Sequence, residues 1–164
     1  VGPADLEPRR KEGEQDGVSG GNGAPRRKTM DTQEPLHVPE LVTSLRRSFR
    51  HGARAPELLS FTPTLIRLLQ PTRDCEPASI YERAVKTERE ISEVVGTMDA
   101  PGKTAMEIML CLRPGTTGAR VEVRREQAAR LYKVTADTFR RRERHEPTLV
   151  LTLALKLLER RMDG

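Results

Sequence analysis

Tryptophan is absent from this chain of 164 residues, and phenylalanine and tyrosine together supply only five aromatic side chains. Hydrophobic residues make up 35%, against about 45–50% in an average soluble domain on a count that includes glycine. Such a composition argues against an aromatic-rich enzyme core or a β-sandwich. It leaves room for a small helical core of Leu, Val, Ile and Ala. The two cysteines, Cys75 and Cys111, lack CxxC or Cys/His spacing, which excludes a zinc finger. One disulfide is formally allowed, but two reduced thiols in a cytoplasmic protein is the reading taken. The N-terminus has no apolar run of the secretory kind. The longest apolar stretch, 149–158, is too short to cross a bilayer and contains Lys156. No membrane partner is expected.

Chemistry-bearing motifs are equally scarce. The histidines at 37, 51 and 145 form no HExxH-type pair, so no metal site is expected. The stretch from Gly96 to Lys103-Thr104 has five residues between Gly96 and Gly102, one more than a P-loop carries, and it follows a helical pattern rather than a strand. It reads as a loop leading into a helix. No nucleophile elbow accompanies the Ser and Thr residues. Glu88 and Glu90 fall on a polar helix face and read as solvated. The chain is not expected to be an enzyme or to hold a cofactor.

Charge is what the chain has in quantity. Charged residues are 32%, with 29 basic against 24 acidic and a net charge of +5; 23 of the bases are arginine. A basic balance favours polyanionic partners, and guanidinium forks suit phosphates and base edges. The excess is concentrated. Residues 124–144 hold eight bases and three acids, a local +5.

Organisation follows from texture. Residues 1–35 carry six Gly and four Pro with few apolar side chains, which predicts a disordered tail. Val1 is an unusual first residue, and Met30 offers an alternative start that would leave residues 1–29 outside the native protein. From Val38 the pattern turns helical, giving a scaffold or partner-binding half over 36–114. Helices are predicted at about 38–51, 62–70, 78–95 and 104–112, with one short turn at 56–60. Residues 115–164 supply three more, at about 121–132, 136–145 and 148–162. The whole reads as an all-α bundle of five to seven helices.

The stretch 124–144 has the residue types of a helix-turn-helix. Ala128 and Ala129 are small enough for a second helix to cross closely, and Leu131 or Tyr132 supplies the apolar residue one turn later. Lys133 stands where a left-handed residue, usually glycine, is needed. Val134 is an apolar plug, Thr135 an N-cap, and Phe139 an inward anchor. The outward positions are Ala136, Asp137, Arg140, Arg141 and Arg144. From Ala105 to about Leu158 the chain resembles the helix-turn-helix module of small bacterial regulatory proteins. The shared pattern is a short apolar helix, a Pro/Gly turn, RRE-x-AA-x-L, TFRRRE and a Leu-rich helix, over about a third of the sequence. Related modules occur in sigma-factor-like and response-regulator output domains.

That resemblance implies binding of double-stranded DNA in transcriptional regulation. Arg124, Arg125, Arg130 and Lys133 are expected to neutralise phosphates. Arg140, Arg141 and Arg144 are expected along the recognition helix, one of them reading guanine for about 1–3 kcal/mol of discrimination. The last helix is apolar on two adjacent faces, which suggests a homodimer through 148–162. A rival reading is a helical adaptor that docks on a protein partner through the Leu-rich helix, with the arginines a solvated face.

Overall fold

Pro39 lies in the first turn of helix α1 (Val38–His51), where its missing N–H costs nothing. The helix buries Leu41, Ser44, Leu45, Ser48 and Phe49 on one stripe and stops at Gly52, whose φ of 108° suits glycine. The computed structural model describes residues 37–72 and 78–163. The predicted tail and Cys75 lie outside them.

Eight helices and no strand occur among the described residues. The stretch read as one short turn is a full helix, α2 (Ala55–Phe61), and α3 (Pro63–Leu69) follows directly. Helix α4 (Ile80–Gly96) begins with a reciprocal cap. The Ser79 hydroxyl accepts from the Glu82 N–H at 3.1 Å, and the Glu82 carboxylate accepts from the Ser79 N–H at 2.8 Å. Its buried stripe is Ala84, Thr87, Ile91, Val94 and Val95; Ile80, expected on that stripe, is exposed. Helix α5 (Gly102–Met109) starts on the Gly-Lys-Thr sequence. A Cβ on Gly102 would stand 2.8 Å from the tip of Leu149, so glycine permits this close approach.

Glu88 and Glu90 are not a solvated pair. Glu88 accepts the Ala55 N–H at 2.7 Å, capping the start of α2. Glu90 accepts from the Gln70 amide at 2.7 Å. Burial pushes the Glu90 carboxyl above its ordinary range, with the Gln70 hydrogen bond and then Arg161 and Arg160 opposing the rise.

Helix α6 (Val121–Leu131) packs on α5, and the short α7 (Ala136–Arg140) on α6. Helix α8 (His145–Met162) lies against α1, α4 and α7, burying Val150, Leu153, Ala154 and Leu157. One of its two apolar faces is thus covered within the chain. Leu151, Leu155 and Met162 of the other are exposed. No helix among the described residues is long and apolar enough to cross a membrane.

Candidate nucleic-acid interface

The turn between α6 and α7 is built by its own hydrogen bonds. Lys133 has φ 55°, its N–H donates to Arg130 O at 3.1 Å, and the Val134 N–H reaches back to Ala129 O at 3.2 Å. This is a Schellman ending with lysine in the place glycine usually takes, a conformation that costs about 1–2 kcal/mol. Val134 is half-buried beside the fully buried Ala128 and Ala129. Thr135 then caps α7, its hydroxyl accepting from the Thr138 N–H at 3.2 Å. Phe139 is completely buried and sits within an aromatic cluster with Tyr132 and His145, ring centroids 5.6 and 6.1 Å away.

On the other side of α7, Asp137 accepts from Arg140 at 3.1 Å and from Arg141 at 2.9 Å. These hydrogen bonds, Arg141's the larger, hold the Asp137 carboxyl below its usual range. All three side chains are exposed.

Two expected DNA contacts are displaced by the fold. Helix α7 ends at Arg140 rather than near 145, because the next inward positions are Arg142 and Glu143, which have no apolar face to bury. Arg141 is therefore the C-cap of α7, with extended backbone, and Arg144 is the N-cap of α8 rather than part of a recognition helix.

Arg124 is the larger correction. It is 1% exposed. Its guanidinium donates to Phe49 O at 2.6 Å, Arg50 O at 3.2 Å and Ala119 O at 3.0 Å, and also to Met109 O. Phe49, Arg50 and Met109 are among the last residues of α1 and α5, whose carbonyls lack intrahelical partners. The cation sits at the negative ends of two helices and is not available to a phosphate. Burial lowers its pKa, but arginine starts high enough to stay charged. Burial likewise pushes the neighbouring Cys111 thiol up, with Arg124 opposing.

The remaining predicted residues divide between two places. Arg125 and Arg140 share a cleft of about 630 Å³ bounded by α1, α6, α7 and the start of α8. Arg125 is held there by a bidentate pair with Glu146, at 2.6 and 3.2 Å. Arg130 lines a separate cleft of about 380 Å³ with Arg113, Thr116 and Gln127. Lys133 is exposed in the turn.

The larger cleft also contains Arg46 and Arg50 of α1 and Arg142 of the turn after α7, with Glu122 as its second acid. Arg46 and Arg50, one helical turn apart, belong to a half of the chain read as scaffold. The signal was present as Arg46, Arg47 and Arg50 in an otherwise apolar helix, but their proximity to α7 is tertiary. No protein-family model, curated protein or solved structure matches this chain. Among the described residues no cluster of His, Cys, Asp and Glu is placed to hold a metal ion.

Proposed function

We propose that α6, the Lys133 turn and α7 act as a helix-turn-helix that binds double-stranded DNA in transcriptional regulation. The observation that carries this reading is the division of α7. Phe139 is completely buried, while Arg140 and the adjoining Arg141 stand exposed, immediately after a capped start and a tight turn. A helix anchored by one side chain and presenting guanidinium groups on the other suits insertion into a major groove. Arg125, Arg130 and Lys133 are then phosphate contacts that fix register; Arg124 has no part in the contact.

The test is a titration of the chain against a labelled random-sequence duplex at several salt concentrations. Affinity is expected to fall steeply as salt rises, because neutralised phosphates release counterions. Arg140→Ala with Arg141→Ala is expected to weaken binding at least tenfold with helicity unchanged. Binding that ignores both salt and the double substitution overturns the proposal.

The rival adaptor reading has one observation in its favour, the exposed Leu151, Leu155 and Met162 on α8. With the half-buried Leu158 they follow a 4-3-4 spacing, the seam of a two-helix coiled coil. A second copy of α8 offers the same period, so we assign this strip to a homodimer that sets two DNA-reading units side by side.

A further inference from the structure

We infer that the cleft bounded by α1, α6, α7 and α8 binds a phosphate group, so that the α1 half of the chain grips the same polyanion as α7. This rests on the DNA reading for its source: the phosphate is one of the duplex backbone, beside the groove that α7 enters.

Arg46 and Arg50 face the cleft from α1, and Arg140 and Arg142 from the far end of the chain. Arg46, Arg50 and Arg142 form no ion pair among the described residues. Three unmatched guanidinium groups around one concavity repel each other and are relieved by a shared anion. Arg125, by contrast, is already fixed by Glu146 and serves as the wall. Glu122 adds one negative charge, which the arginines outnumber. The helices whose first turns line the cleft, α6 and α8, have no side-chain cap, so their positive ends add to the same field. A volume of about 630 Å³ admits a phosphate with its sugar. Guanidinium forks bind such oxygens bidentately.

Arg46 and Arg50 lie on the exposed side of α1, away from its buried Leu41, Leu45 and Phe49, so substituting them spares the core. The experiment measures duplex binding across a salt series for the full chain, for Arg46→Ala with Arg50→Ala, for Arg46→Lys with Arg50→Lys, and for Arg140→Ala with Arg141→Ala. Amide NMR shifts on adding inorganic pyrophosphate are recorded for the same proteins.

The alanine pair in α1 is expected to lower the magnitude of the log–log salt slope by about two, near 0.9 per lost phosphate contact. The lysine pair is expected to restore it. If the α1 alanine pair binds duplex with the parent slope while the α7 pair weakens it, the cleft proposal falls and the DNA reading stands. If the parent chain ignores duplex but pyrophosphate shifts residues around the cleft, and the α1 alanine pair abolishes those shifts, the site stands with a free phosphate ligand and the DNA reading falls. Silence towards both duplex and pyrophosphate overturns both.

Discussion

The Arg124 guanidinium of α6 donates to Phe49 O of α1 at 2.6 Å, across 75 positions of sequence. The same side chain reaches Met109 O at the end of α5. One cation therefore ties three helices together, and with them the basic face of α1 to the α6–α7 pair. Arg124→Met is expected to leave those carbonyls unpaired in a dry site and to cost about 3 kcal/mol. Urea denaturation checks this, with a lower midpoint and an unchanged slope. Duplex affinity per folded molecule is expected to stay as in the parent, because Arg124 touches no surface.

Asp137 works against the reading helix it belongs to. Asp137→Asn removes a carboxylate that occupies Arg140 and Arg141. Tighter duplex binding at neutral pH, with a steeper salt dependence, is the expected outcome of an anisotropy titration. The pH signature has a definite sign. A depressed acid stabilises the fold above its unfolded pKa, and that contribution is lost as pH falls through the folded one. The asparagine variant is expected to lose this part of the acid limb.

Glu90 carries the opposite sign. Its raised pKa means that the native state holds the proton more tightly than the unfolded chain does. Stability contributed by this group is present at low pH and falls as pH rises from the ordinary glutamate value through the raised one. Glu90→Gln keeps an acceptor for the Gln70 amide and removes the titration. Calorimetry across pH 4–7 is expected to show the variant gaining melting temperature relative to the parent as pH rises.

Two leucines of α8 separate folding from assembly. Leu153 is fully buried and Leu155 is 43% exposed. Leu153→Asp is expected to unfold the protein, by burying an unpaired charge. Leu155→Asp is expected to keep helicity and melting temperature close to the parent and to shift sedimentation from dimer to monomer. A parent that sediments as a monomer at all concentrations removes the homodimer assignment.

What the sequence by itself determined is local. Ser79 and Glu82 box the start of α4, Thr135 caps α7, Lys133 takes the left-handed position, and Phe139 turns inward. Each rests on partners within a few residues, so residue type and spacing suffice. The helical class follows in the same way, from apolar stripes at helical period. Tertiary structure decided which arginine is a bolt and which is surface. Arg124 and Arg125 are adjacent and chemically alike, and only the stripe through Val121, Arg124 and Ala128 hinted that the first turns inward. The carbonyls that receive Arg124 lie 15 and about 75 residues away. The cleft likewise joins α1 to residues near 140. No local propensity encodes such distances, because a guanidinium's burial depends on which helix ends the packed core brings to it.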